Sequence, residues 1–260
     1  MGTTPTPEDQ LKPVGPHLYE AIGSAYPATR RTDPQLAARI WSALGDARTV
    51  LNVGAGTGNY EPPDRDVVAV EPSSVMRAQR PPTAAPCIAA TAEHLPFSDK
   101  SFDAAMAVST IHHWQNPVAG LREMHRVARR LVIFTHDPSE EAWRTRFWLT
   151  RDYLPEAATL VANRPPLAQL ATTINAEVAP VPIPWNCKDG FFESHWRHPE
   201  AYLNENVRRA VSVWTRVGQR AEQRAVEALA TDLTTGRWQD RNHNLLTQET
   251  AELGLRLLTT

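Results

Sequence analysis

The sequence predicts an α/β fold organised around a parallel sheet, on three observations. Val50 to Val53 is a short apolar run that leads straight into Gly54, Gly56 and Gly58. Val67-Val68-Ala69-Val70 is a second such run, and it ends in Glu71. Further apolar runs then alternate with helical patterns as far as Phe134. Consecutive apolar residues suit strands buried on both faces, and strand–helix alternation suits parallel pairing.

The elements follow in order. Residues 1–16 are polar, contain several prolines and lack periodicity, so they read as a disordered or loosely docked arm. Tyr19, Ile22 and Tyr26 then recur at helical spacing. Asp33-Pro34 supplies an N-cap with proline at the first helical position. Leu36, Ala37, Ile40, Trp41 and Leu44 form that helix's apolar face, and Gly45 stops it. Ser73 to Arg80 predicts a short helix ended by Pro81-Pro82, and Cys87 to Ala90 a third strand. Phe102 to Ser109 reads as the fourth strand and Leu131 to Phe134 as the fifth. Between them Asn116-Pro117 opens a helix with Val118, Leu121, Met124 and Val127 as its stripe.

Beyond Phe134 the pattern changes. Residues 138–177 read as helical and tryptophan-rich, Val178 to Pro184 as an edge strand and Leu253 to Leu258 as a final strand. Pro199 opens a second long helical region that ends near Gly236. The helical material near 138–177 and 189–235 is expected to cap the substrate side of the sheet, within a single domain spanning 17–260.

Composition narrows the function. The 260 residues carry 27 basic and 29 acidic side chains, a net charge of −2. No basic stripe argues for nucleic acid, and no apolar run reaches membrane-spanning length. The N-terminus lacks a signal-peptide pattern, so a cytoplasmic protein is expected. Cys87 and Cys187 give neither metal-ligand spacing nor a disulfide framework. Residue patterns leave the oligomeric state open.

A strand running into closely spaced glycines, followed by a strand ending in an acid, is a nucleoside-binding arrangement. The glycines let a ligand approach the backbone, and the acid accepts hydrogen bonds from a ribose. The dinucleotide fingerprint is G-x-G-x-x-G. Here the third glycine comes one position early, at Gly58, and Glu61-Pro62-Pro63-Asp64-Arg65-Asp66 leaves little room for a helix that could face a pyrophosphate. A nucleoside without phosphates fits better. On these residues Leu51-Asn52-Val53-Gly54-Ala55-Gly56-Thr57-Gly58 resembles the first motif of the class I S-adenosylmethionine-dependent methyltransferases, in the small-molecule branch that includes quinone-biosynthesis enzymes.

The resemblance covers Tyr19 to Asp137 well and the remainder in outline. It implies a doubly wound, seven-stranded, mostly parallel sheet with the last strand antiparallel. It also implies S-adenosyl-L-methionine as donor, S-adenosyl-L-homocysteine as product and a small-molecule acceptor. Asn52, Gly54, Ala55, Gly56 and Gly58 would pass under the methionine and ribose parts. Glu71, with Pro72 beside it, would bind the ribose, and Ala92-Glu93 would meet the adenine. Ser109 and Thr110-Ile111-His112-His113-Trp114 would line the methyl side. Three features depart from the family: Asn52 replaces the usual aspartate, the crossover after the glycines is short, and Ala128-Arg129-Arg130 replaces the proline-glycine-glycine turn before strand five.

His113, or His112, is the candidate general base, because histidine titrates near neutrality. Either could instead only shape the pocket. Trp114, Trp143, Trp148, Trp185 and Trp196 flank the expected cavity, where a ring could stack on a planar acceptor; for each one alone, core packing is the alternative. Trp114, Trp148 and His195 are the candidate substrate contacts. Tyr26 and Arg30 precede the first strand, where related enzymes close over the cofactor, and Arg30 or Arg31 could fork onto its carboxylate. No side-chain group has metal-ligand spacing. The glycine motif equally suits a protein that holds the cofactor for a non-methyl reaction such as cyclisation, or one that senses it. A hydrophobic or aromatic O- or N-acceptor suits the tryptophan-rich cap.

Overall fold

Alternation along the strands explains the layering. In β1 (Thr49–Val53), β4 (Phe102–Val108) and β5 (Ala128–His136), successive side chains point to opposite faces. Val50, Ala104, Met106, Val132 and Phe134 pack on one side with Leu36, Ile40 and Leu44 of helix α1 (Pro34–Ala43). Leu51, Ala105, Ala107, Leu131 and Ile133 pack on the other with Leu121, Met124 and Val127 of helix α2 (Pro117–Val127). Both faces are therefore dry, and the strands read as unbroken apolar runs for that reason. The computed structural model describes residues 30–137, 141–160 and 164–260, without the side chains of Ala142 and Trp143. The expected N-terminal arm and Tyr26 lie outside the described residues.

The sheet has seven strands. With β2 (Asp66–Val70), β3 (Cys87–Ile88), β6 (Glu177–Pro180) and β9 (Leu255–Thr259), the order is β3-β2-β1-β4-β5-β9-β6. The pairs β1–β2, β1–β4, β2–β3 and β4–β5 are parallel. Strand β9 lies antiparallel between β5 and β6, pairing Val132 with Thr259 and Glu177 with Thr259. Strands β7 (Ile183–Pro184) and β8 (Thr250–Ala251) form a separate two-stranded pair. This is the doubly wound α/β sheet that the sequence predicts. From β1 the chain winds to β2 and β3 and then returns to β4, so β1 and β4 flank the topological switch point where such sheets bind ligands.

Capping residues act as their types require. Asp33 accepts from the amides of Gln35 and Leu36, and Asn116 from that of Ala119. The short helix over Ser74–Ala78 is capped by Ser73, which accepts from Met76 N–H. Between β1 and β2 there is no helix, as the prolines demand. Strand β5 begins at Ala128, directly after α2, which makes it longer than the apolar run alone suggests.

The region 138–177 is less regular than its pattern predicts. It holds π-helical turns over Ala142–Arg146 and Leu149–Tyr153, one short helix and helix α3 (Leu167–Ile174). The second helical region continues past Gly236, through helix α4 (Gln219–Thr234) to helix α5 (Arg237–Asn242). Its centre is aromatic. Trp148 meets Tyr153, Tyr202 and Trp238 edge to face at 5.9, 5.7 and 5.2 Å, and its indole N–H donates to Trp196 C=O at 2.6 Å. These rings are continuous with the core on the α1 side of the sheet. No helix among the described residues is long and apolar enough to cross a membrane.

Trp148 is 1% exposed, so Trp148→Ala leaves a large cavity and an unpaired carbonyl. It is expected to cost about 3–5 kcal/mol, read by urea denaturation; a loss below about 1 kcal/mol would show that the cap is not packed on this ring.

Candidate active site

The glycine turn sits at the carboxyl end of β1, where Gly54 and Ala55 N–H both donate to Val70 C=O at the end of β2. Gly54 takes φ +70°, and a Cβ there would lie 2.2 Å from Thr110 Oγ1. Only glycine fits that spot. Gly56 N–H donates to Glu71 Oε2 at 2.8 Å, and Ser73 N–H to Glu71 Oε1 at 2.8 Å. Burial raises the Glu71 pKa, and these two amides oppose the rise by favouring the carboxylate. A carboxylate oxygen has more than one lone pair, so Glu71 retains acceptor capacity toward the cavity it lines.

That cavity has a volume of about 480 Å³, within the range of small-ligand sites. Of the residues singled out in the sequence, Asn52, Gly54, Ala55 and Gly56 line its floor, with Glu71 and Pro72 beside them. Ala92, Glu93, Ser109, His113, Trp114 and Arg30 close its other sides. Backbone free of side chains, an acid with spare lone pairs and a space of this size fit a nucleoside-sized ligand.

Four expected residues fall elsewhere. Gly58 takes φ +95° but lines neither described cavity; it turns the chain beside Arg80 and Glu61. His112 lines a neighbouring cavity. Trp148 lines neither, because its ring completes the aromatic centre of the cap. His195 stacks edge-on to Tyr202 at 5.8 Å and also lines neither. Trp148 and His195 therefore do not reach the described cavities, and the physical reason is that the cap packs against itself.

Asn52 has a structural explanation. Its amide donates to Glu61 Oε1 at 3.2 Å, and Glu61 is paired with Arg80 at 2.8 Å in a nearly buried contact. Arg80 also donates to Gly56 C=O at 3.2 Å, and Glu61 Oε2 accepts from Ala85 N–H at 2.9 Å. An aspartate at position 52 would set a second carboxylate against Glu61. An amide donates instead, and the acid sits at Glu61.

The methyl-side segment is positioned by backbone. Ser109 takes φ +52° and donates its N–H to Phe134 C=O at 2.8 Å, turning the chain sharply out of β4. A short 3₁₀ turn, Ile111–His113, follows. The rings of His112 and His113 lie 3.9 Å apart. Burial, and then the positive charges of Arg164, Arg216 and Arg30, push the His113 pKa down to about 3. His112 lies well below its ordinary value, through burial and then His113 and Arg164. Both imidazoles are neutral at physiological pH. Trp114 lies across α2 at Gly120, where a Cβ would approach ring atom Cε3 to 2.6 Å, and Glu93 accepts from Asn116 N–H at 3.0 Å.

Arg30 reaches the cavity from the chain before β1. Its guanidinium pairs with Asp189 at 2.6 Å, and Tyr60 O–H donates to the same carboxylate at 2.9 Å. Sequence reasoning missed Glu61, Arg80, Tyr60 and Asp189. Asp189 lies 159 residues from Arg30, so no local spacing could have joined them. Among the described residues no cluster of three metal-ligating side chains occurs.

Comparison with known proteins gives a consistent picture. Residues 51–134 match the methyltransferase domain family. An uncharacterised methyltransferase of Mycobacterium tuberculosis is 37% identical over 119 residues, which is 42% of this chain and 48% of that protein. The chain thus spans about half the length of that relative. A demethylmenaquinone methyltransferase of Renibacterium salmoninarum is 36% identical over 167 residues, 56% of this chain and 68% of the relative. In three dimensions, a crystal structure from Anabaena variabilis, described as a methyltransferase from an antibiotic biosynthesis pathway, superposes with a TM-score of 0.81. It is 28% identical and covers 89% of this chain and 98% of its own. Strand order, glycine turn and relatives agree, and the chain belongs to the class I S-adenosylmethionine-dependent methyltransferases.

Proposed function

We propose that this protein transfers a methyl group from S-adenosyl-L-methionine to a small, hydrophobic or aromatic acceptor through oxygen or nitrogen, releasing S-adenosyl-L-homocysteine. The observation that carries the reading is the single cavity in which the glycine turn, Glu71, Ala92-Glu93 and His113 meet. When bound, the donor supplies a methyl group already activated on a sulfonium. Glu71 would hold the ribose hydroxyls, the Gly54–Gly56 backbone the methionine part, Ala92 and Glu93 the adenine, and Arg30 the carboxylate. Trp114 and His113 border the acceptor side.

Methyl transfer is a displacement in line, so the protein's work is alignment and exclusion of water. Trp114 serves exclusion, since its ring is fixed against Gly120. His113, neutral at its ring, can accept a proton from an acceptor hydroxyl. The low pKa makes it a weak base, suited to an acidic nucleophile. The arginines that add to burial in disfavouring the imidazolium also favour an anionic acceptor.

Calorimetric titration with S-adenosylhomocysteine tests the donor site. Glu71→Ala removes charge-assisted hydrogen bonds and should weaken binding about 10- to 100-fold. Unchanged affinity would rule out the ribose role. Release of S-adenosylhomocysteine with a panel of hydroxylated aromatic acceptors separates methyl transfer from sensing or cyclisation.

His113 also sets a pH signature. Its folded pKa of about 3 lies below the ordinary value of 6.5, so the unfolded chain takes up a proton first as the pH falls. The stability contribution present above pH ~6.5 is lost as the pH drops toward ~3. The melting temperature should therefore fall between pH 7 and 5, and less so in His113→Asn. Likewise kcat should show no acid limb near 6.5; a limb there that vanishes in His113→Asn would contradict the assignment.

A further inference from the structure

A second cavity, of about 210 Å³, adjoins the first. Trp114 and Gln115 line both, so the two share a wall at the segment that follows β4. Ile111, Pro165 and Leu170 give it apolar sides, while Arg164, His112 and His136 give it polar ones. An engineered apolar cavity of about 150 Å³ admits benzene. A space of 210 Å³ therefore holds one ring with a small substituent.

The charge balance of this pocket is positive. Arg164 is half-buried, and the like charge of Arg216 acts on it more strongly than the opposite charge of Glu193. Among the described residues Arg164 makes no hydrogen bond or ion pair. Glu193 is fully buried, and its Oε1 lies 3.2 Å from His136 Nδ1. His112 and His113 are held neutral in part by Arg164 itself. A guanidinium set among the apolar walls of Ile111, Trp114, Pro165 and Leu170 is a recognition element for a planar anion, since its fork matches a carboxylate in geometry and charge. Gln115, Thr135 and the neutral His112 on the same walls offer single hydrogen bonds but no two-pronged cationic fork.

We infer that the second cavity is a binding site for an aromatic carboxylate, with the carboxylate on Arg164 and the ring between Trp114, Ile111 and Leu170. This rests on the methyltransferase reading, in which the carboxylate-bearing molecule is the methyl acceptor and reaches the donor cavity past Trp114 and Gln115. Acceptors with this group would come from reactions that leave an acid on a ring, and neutral analogues would be discriminated against.

The test is equilibrium binding of benzoate and of its neutral isostere benzamide to the full chain, with and without S-adenosylhomocysteine. Benzoate should bind at least about tenfold more tightly than benzamide. Arg164→Met should remove that preference while leaving S-adenosylhomocysteine affinity intact, and Arg164→Lys should keep part of it. Equal binding of the two probes, no binding of either at millimolar concentration, or a preference that survives Arg164→Met would overturn the proposal. If Arg164→Met does not fold, the wild-type comparison of the two probes decides alone. Failure of the wild-type chain to bind S-adenosylhomocysteine would instead defeat the methyltransferase reading, and the probe preference is read independently of it.

Discussion

Asp189 is the constraint on which the closed site depends. It is 1% exposed and takes both the Arg30 guanidinium and the Tyr60 hydroxyl. Asp33, beside it, accepts from Lys188 N–H at 2.8 Å while its own N–H donates to Tyr60 oxygen at 3.3 Å. Three distant segments are thereby joined: the chain before β1, the end of the glycine turn and the cap. Tyr60 takes φ +66°, a conformation rare for a side-chain-bearing residue. It is held there by Thr32 Oγ1, which accepts its N–H, and by Trp41, which donates to its C=O. Burial, then the charge of Asp189, pushes the Tyr60 pKa up, so it stays a donor. Breaking such a buried pair on one side leaves a bare charge, at a cost of about 3–5 kcal/mol. The orientation of Arg30 at the cavity is thus set by a cap residue.

The glycine turn is held in a similar way. Glu71 takes the N–H of Gly56 from the cavity side, and Arg80 takes its C=O from behind. One peptide is pinned at both ends by charged groups, and Glu61 neutralises the arginine. This gives the cofactor loop rigidity without a following helix. It also explains how an asparagine can stand where related sequences place an acid.

Much of the fold was legible because it rests on local chemistry. Asp33-Pro34 and Asn116-Pro117 cap their helices as their types require, and consecutive apolar residues mark strands covered on both faces. The floor of the site was legible for the same reason: Gly54, Gly56 and the acid Glu71 at set spacing need no distant partner, while Gly58 turns the chain beside them. The cap was not. Aromatic residues such as Trp148 satisfy both a pocket and a core equally well by sequence, and only packing decides between them. The same holds for His195, which packs on Tyr202. Asp189, Glu61 and Arg164 carry no local signal at all, since a charged residue becomes informative only once its burial and partner are known.

The position of β9 has a consequence for the order of folding. It lies between β5 and β6, so Val132 meets Thr259 only after the entire cap has been synthesised. Until then Leu131-Val132-Ile133-Phe134 is an uncovered edge of high apolar content, the kind of strand that recruits foreign partners. Loop closure over such a separation is slow relative to the local pairings of β1, β2 and β4. The nascent chain thus presents β1, β2 and β4 already in parallel pairing beside a free β5 flank, which β9 covers last.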